Sequence, residues 1–373
     1  MISSPRFLCR CQPIARVEML GAQIIRFDFS FEQKIPAFVL SDIQIWLKSK
    51  NTQDKWIKLE LTEYQYLDSS RISVWIKPDI HSITTKLLSF DPIRFTQERL
   101  NLEIKIQFSQ QINPRTLPCR ILPVYCLGVE EFRQHSFCDF SYSVYFPHQS
   151  NNKHPLIVCL HGAGEGGKNQ SNLLADKMAI TFWNESTQEL FDYPYILAPQ
   201  CPSFWLKNFV LNDRTYYGER DYTDDLLKLV IQFIARHPNI DRQRIYIVGG
   251  SMGGYQGLRL FSAKPDLFAA ALIACPAQVP TKMQLNALIN KPIWFLHCNS
   301  DQVVPVENTQ KIIRYLISQG DSPVQVTYFD EIVVENRFVN PHCVFLYLYE
   351  NQVKIGKTSI FEWLTQQRRW DDE

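Results

Sequence analysis

From Ser141 to Arg369 the chain repeats one alternation, and nothing else in it constrains the fold as much. Apolar runs (SYSVYFP, HPLIVCLHG, DYPYILAPQ, RIYIVGG, LFAAALIAC, KPIWFLHC and VQVTYFD) are separated by amphipathic stretches such as DDLLKLVIQFIARHP, GGYQGLRLFSAK, TQKIIRYLISQG and SIFEWLTQQRR. Most of these runs are apolar on both faces, so both faces must be covered, which is the signature of a mostly parallel sheet. Strand and helix in alternation therefore predict an α/β domain whose sheet is wrapped by helices.

The earlier half reads differently. From about Ile14 to Gln110, segments such as AQIIRFDFSF, DIQIWLKSK, KWIKLELTEY, RISVWIKP and RLNLEIKIQFS alternate apolar and polar residues. A period of two marks strands with one buried face. Several of them in succession, with turn-like breaks between, predict an antiparallel β-sandwich. The stretch QQINPRTLPCRILP carries three prolines and reads as an interdomain linker. The expected division is an all-β sandwich over residues 1–118 and an α/β domain over 119–373. A chain of 373 residues is long enough for two such cores.

Composition removes several function classes. Lys and Arg number 39 against 38 Asp and Glu, with no basic stripe, so neither nucleic acid nor an anionic membrane surface is expected as a partner. No apolar run approaches the roughly 20 residues of a spanning helix. The N-terminus lacks a sustained apolar stretch, so the expected compartment is the cytoplasm, or an exported setting if a leader has been removed. The ten cysteines are scattered. Cys9 and Cys11 form a CxC without the paired CxxC spacing of a zinc site, and most of the thiols read as free.

The chemistry concentrates at RIYIVGGSMGGYQGLRLF. Gly249, Ser251 and Gly253 form a G-x-S-x-G between an apolar strand and an amphipathic helix, the setting in which a serine is held exposed on a sharp turn. The helix N-terminus behind it presents free N–H groups to an oxyanion. Such a serine needs a histidine base held by a carboxylate, in the chain order Ser, acid, His. Two histidines follow Ser251. His297 ends an apolar strand and reads as a structural residue, whereas His342, in VNPHCVF, reads as the base. Asp301, just past the strand KPIWFLHC, reads as the acid; Asp266, Asp330 and Glu331 are the alternatives.

The loop HGAGEGGKN allows three readings. Gly162, Gly164 and Gly167 satisfy a dinucleotide fingerprint, but no acidic residue ends the next strand. Gly162, Gly167 and Lys168 approach a phosphate-binding loop, but Asn169 stands where a magnesium-binding Ser or Thr belongs. An oxyanion loop is the reading that also accounts for Ser251, Asp301 and His342. Its donors are expected to be the N–H groups of Met252 and of Ala163 or Gly164. No cofactor or metal is required. Trp205, in APQCPSFW after a strand end, is expected to line the substrate pocket.

Taken together, LHGAGEGGKN, YILAPQCPSFW, NIDRQRIYIVGGSMGG, SDQVVPV and a histidine ahead of FEWLTQQ resemble the polyhydroxybutyrate depolymerase and feruloyl esterase-like branch of the α/β-hydrolases, from about Val129 to Arg369. This branch includes esterases and prolyl oligopeptidase-like hydrolases, some with an immunoglobulin-like domain ahead of the hydrolase. The resemblance implies an α/β-hydrolase fold preceded by an immunoglobulin-like sandwich. Where the family tends to carry a tryptophan soon after the histidine, this chain has Val344 and Phe345.

The expected activity is serine carboxylesterase chemistry on a small-molecule or polymer-derived ester. A serine peptidase of prolyl oligopeptidase-like type is one alternative, and a glycan- or protein-binding module with minor hydrolase activity is another. The sandwich is expected to dock on the hydrolase or on a second subunit and to add no catalytic group. A near-zero net charge does not oppose a homo-oligomer. Trp46, Trp56 and Trp75 are read as core between two sheets, with an exposed interface strip as the alternative.

Overall fold

The computed structural model describes residues 8–147, 152–211, 214–320 and 322–369. Two compact units emerge. The first runs to Asp91 and takes in Gln97–Glu131 and Leu174–Asp176; the second holds Pro92–Thr96, Phe132–Leu173 and the chain from Lys177 onward.

In the first unit every principal element is a strand: β1 (Cys9–Glu18), β2 (Gly21–Phe31), β3 (Ile43–Lys48), β4 (Leu61–Tyr66), β5 (Arg71–Ile76), β6 (Glu103–Phe108), β7 (Cys119–Ile121) and β8 (Tyr125–Leu127). One sheet runs β7-β1-β2-β5-β4, with β8 also paired to β1; a second joins β3 to β6 and to Ile57–Lys58. The sheets meet through aromatics: Phe29 and Phe31 of β2 each pack edge-on against Phe108 of β6 at 5.6 Å. The period-two reading is realised in β3, whose Ile43, Ile45 and Leu47 are buried while Gln44, Trp46 and Lys48 are only partly covered.

Three expectations change here. The first strand begins at Cys9, before the alternation is visible, and buries Cys9 and Cys11. The sheet does not stop at 118: β7 and β8 pair in parallel with β1, so the proline-containing stretch lies inside the first unit and does not link it to the second. The tryptophans do not form core. Trp46 and Trp75 alternate with the buried residues and Trp56 is 44% exposed. Each carries a cation over its ring, Lys58 and Lys105 over Trp46, Lys48 over Trp56 and Arg26 over Trp75. An amphipathic indole on a solvated face keeps its area covered in this way without entering the core.

The second unit is built on one eight-stranded sheet. Its strands are β9 (Arg133–Phe137), β10 (Phe140–Tyr145), β11 (His154–Leu160), β12 (Tyr195–Gln200), β13 (Ile240–Gly250), β14 (Ala270–Ala274), β15 (Ile293–Cys298) and β16 (Gln325–Phe329). They lie in the order β9-β10-β12-β11-β13-β14-β15-β16. β9, β10 and β12 pair antiparallel, and every pairing from β12 onward is parallel. Helices α1 (Thr223–Arg236), α2 (Met252–Ala263), α3 (Glu307–Ser318) and α4 (Ile360–Gln366) fall where the amphipathic stretches predict them. Every residue of β11, β12, β14 and β15 is buried. Each buried Val, Leu or Ile contributes roughly 1.5–3 kcal/mol, so this sheet is the rigid platform of the unit. No helix among the described residues is long and apolar enough to cross a membrane.

Candidate active site

Loops at the carboxyl ends of the parallel strands converge, as open α/β sheets require of a ligand site. Ser251 stands between β13 and α2 with φ 56° and ψ −122°, a conformation that a side-chain-bearing residue rarely adopts. Its neighbours explain how the turn can be this tight. A Cβ on Gly249 would lie 2.5 Å from the Gly253 carbonyl oxygen, and one on Gly253 would lie 1.9 Å from the Leu160 carbonyl oxygen. The turn is pinned to the end of β14: Ser251 N–H donates to Ala274 O at 2.9 Å, and Ala277 N–H donates back to Ser251 O at 3.0 Å. Asn308 Nδ2 in turn holds Ala277 O at 3.0 Å. The strain is therefore held in place by contacts from a neighbouring strand end.

His342 reaches this turn from the far end of the sheet. It sits in a short 3-10 turn, Pro341–Val344, capped by Asn340, whose side chain accepts the His342 N–H at 3.0 Å. Its Nε2 lies 2.9 Å from Ser251 Oγ and its Nδ1 2.8 Å from Asp301 Oδ2. The neutral ring that satisfies both contacts donates from Nδ1 to the carboxylate and accepts the serine hydroxyl proton at Nε2. Phe345 packs edge-on to the ring at 6.0 Å and against Gly250, filling space behind it.

The Asp301 side chain is fully buried. Burial pushes its carboxyl up, but hydrogen bonds from His297, from His342 and from the Val304 N–H outweigh that and hold it well below the usual carboxylate range. Oδ1 accepts from Val303 N–H at 2.8 Å and Val304 N–H at 3.0 Å. An ionised carboxylate in a dry setting beside Nδ1 fixes the ring's tautomer and stabilises an imidazolium. His297 is fully buried with both nitrogens occupied, Nδ1 by Thr309 Oγ1 at 2.7 Å and Nε2 by Val304 O at 3.0 Å. It stands 3.4 Å from Asp301 and supports the acid from behind. The alternative acids are elsewhere: Asp266 pairs with Lys291, and Asp330 accepts from Asn299.

Cys275 Sγ, Asp301 and His342 also place ligand-type atoms within 4.8 Å of one another. They do not fit a metal. Both His342 nitrogens are committed, and burial pushes the Cys275 thiol up, so it stays protonated and donates to His342 O at 3.5 Å.

The glycine loop closes the site from β11. Ala163–Glu165 forms a 3-10 turn, and Gly162 approaches Ser251 so closely that an added Cβ would touch the serine Cβ at 4.0 Å. Met252 is the first residue of α2, so its N–H has no carbonyl one turn earlier. Two residues anchor the loop that sequence reasoning passed over. His161 is buried, with Cys201 N–H donating to its Nε2 at 3.2 Å and its Nδ1 donating to Gly162 O at 2.7 Å. Gln200 Nε2 reaches Glu165 O and Ser171 Oγ, both at 2.8 Å. The available signal was polarity: each ends an otherwise apolar strand run, where an unpartnered polar group would be costly.

Trp205 is corrected. It is fully buried, its indole N–H donates to His161 O at 2.9 Å, and its ring packs on His161 and Phe140. It offers no surface to a substrate and positions the glycine loop from behind. An indole that finds both an apolar bed and one acceptor gains more from burial than from lining a wet cleft.

Residues 147–333 match the phospholipase/carboxylesterase family. No curated protein matches the chain. Among solved structures, a thermostable esterase is similar with a TM-score of 0.78 at 22% identity, over 96% of this chain and 100% of its own, which shows a shared fold. An acylaminoacyl peptidase has a TM-score of 0.45 at 13% identity, covering 98% of this chain and 57% of its own, and a ferulic acid esterase has 0.42 at 13%, covering 63% and 97%. With the order of the sheet, the turn at Ser251 and half of the chain's length inside the match, this chain belongs to the phospholipase/carboxylesterase family and is a hydrolase enzyme of the α/β type.

Proposed function

We propose that the protein is a serine carboxylesterase in which Ser251, His342 and Asp301 form the catalytic triad. The observation that carries this reading is the unbroken chain of contacts, Ser251 Oγ to His342 Nε2 at 2.9 Å and His342 Nδ1 to Asp301 Oδ2 at 2.8 Å, ending on a strained turn at a helix N-terminus. Ser251 attacks the ester carbonyl while His342 takes its proton. The oxyanion is held by the N–H groups of Met252 and of Ala163 or Gly164. His342 then protonates the leaving alcohol, and water, activated by the same ring, releases the acid. Asp301 remains ionised throughout and balances the imidazolium. The cycle closes with protein groups and water alone.

Within the family, the HG-glycine loop and the APQCPSFW segment support a place near the depolymerase and feruloyl esterase-like branch. The two-sheet first unit supports reading it as an immunoglobulin-like accessory domain without a catalytic group.

The test is a para-nitrophenyl ester series from acetate to laurate, run beside feruloyl and peptide substrates, on wild type and Ser251→Ala. The expected result is ester turnover that falls by about 10⁴-fold or more in the variant at unchanged melting temperature. Variant turnover within tenfold of wild type overturns the nucleophile. Faster cleavage of the peptide substrates than of the esters replaces the esterase reading with a peptidase.

A further inference from the structure

Outside the hydrolase site, three thiols meet at one edge of the first unit. β1 and β7 pair in parallel with Cys9 directly opposite Cys119, and the ladder is held on either side by Leu8 N–H to Pro118 O at 2.9 Å and Leu122 N–H to Cys11 O at 2.8 Å. Paired residues on neighbouring strands project to the same face, and so does Cys11, two positions on from Cys9. Cys9 Sγ lies 3.1 Å from Cys119 Sγ. Strand neighbours are spaced about 4.8 Å apart, inside the Cα separation a disulfide accepts.

The three differ in access. Cys9 and Cys11 are buried, whereas Cys119, on an edge strand, is partly exposed. The neighbouring thiols outweigh burial and hold the Cys119 thiol below the ordinary thiol range, while the two buried thiols are pushed up by burial and by Cys119. One accessible thiolate beside a protonated partner is the arrangement of an attacking and a resolving cysteine. The three do not make a metal nest: among the described residues the one trio of ligand atoms within 4.8 Å is that of Cys275, Asp301 and His342.

We propose that Cys119 and Cys9 form a peroxide-responsive dithiol that closes to a disulfide across the β1–β7 edge. The Cys119 thiolate attacks a peroxide oxygen; an S–O bond forms, the O–O bond breaks and hydroxide leaves as water after protonation. The sulfur is oxidised by two electrons and the peroxide reduced. The Cys9 sulfur, giving up its proton, then attacks Cys119 sulfur; the S–S bond forms, the S–O bond breaks and water leaves. With hydrogen peroxide, two thiols become one disulfide and two waters. The bridge ties together residues 110 positions apart and locks the first strand to the sheet edge.

The test uses the full chain, reduced, desalted and treated with a few equivalents of hydrogen peroxide. Remaining thiols are then blocked under denaturing conditions and the peptides mapped without reduction. The expected result is a Cys9–Cys119 cross-linked peptide, two of the ten thiols lost, and a melting temperature several degrees higher that returns to its starting value with dithiothreitol. Cys119→Ser abolishes the cross-link and leaves ester hydrolysis within twofold. Cys119 recovered unmodified while the exposed Cys138 is oxidised overturns the proposal. So does Cys119 recovered only as a sulfonate, or joined solely to Cys11 or to another chain. The mapping of wild type needs no variant to fold.

Discussion

The eight-stranded sheet of the second unit and the three-stranded sheet of the first meet water in opposite ways. β11 and β15 are buried at every position, whereas β6 alternates exposed and half-covered residues from Glu103 to Phe108. A sheet covered on both faces can present polar groups only at its ends, and each such group must find a partner there. His161, Gln200, His297 and Asp301 all lie at or just beyond the ends of covered strands, and all are hydrogen-bonded. The half-covered sheet disposes of its polar residues along a whole face, so none is forced into a common place. Convergent chemistry follows from the covered sheet, and tolerance to substitution from the open one.

That contrast is most exposed to failure at Gly253. Alanine there would normally favour a helix, yet its Cβ would fall 1.9 Å from Leu160 O and 2.6 Å from His161 O, both backbone atoms. Gly253→Ala is expected to destabilise the protein by about 3 kcal/mol or more, or to leave it insoluble, with activity lost. Denaturant melts check this, and a loss under about 1 kcal/mol would mean the turn relaxes freely.

A smaller effect is expected from acid. Burial lowers His161 from 6.5 to about 4, against the opposing hydrogen bond to Gly162 O. Between those values the unfolded chain binds a proton that the folded chain refuses. Stability is therefore complete above about pH 6.5 and declines as pH falls toward 4, by about 2–3 kcal/mol. Protonation at Nε2 would also break the bond from Cys201 N–H and loosen the glycine loop. Asp301, shifted down, acts in a separate and lower window: its contribution is lost only when pH falls below the ordinary carboxylate range. Urea melts at pH 7, 5.5 and 4.5 should show the decline, and His161→Gln should flatten it. An unchanged slope in that variant would assign the acid sensitivity to other groups.

The smallest effect belongs to the open sheet. Lys105 is exposed, with its ammonium 5.1 Å from the Trp46 ring centroid, and Lys58 also covers that ring. Lys105→Ala is expected to change stability by under about 0.5 kcal/mol and ester turnover not at all. A loss above 2 kcal/mol would show the open face to be as demanding as the covered one.

What could be read from the chain alone was whatever depends on residues near each other in it. The alternation of apolar runs with amphipathic stretches predicts most of the eight-stranded sheet and its helices, though not β9, whose Arg133–Phe137 is too polar to stand out. The strand–Gly–x–Ser–x–Gly–helix order predicts the tight turn, since turn geometry is set by the residues inside it. Chain order then pointed to Asp301 and His342, which the fold brings to Ser251 from 50 and 91 positions away. Burial is another matter, because it is decided by contacts between distant segments. Trp205 had the same local signature whether it faced a cleft or lay under the glycine loop, and only packing on His161 and Phe140 put it inside. Trp46 and Trp75 turned outward because the pleat assigned the opposite face to Ile45, Leu47 and Val74. The meeting of Cys9 with Cys119 was equally out of reach, since it rests on the pairing of two strands 110 residues apart, a register that no local pattern specifies.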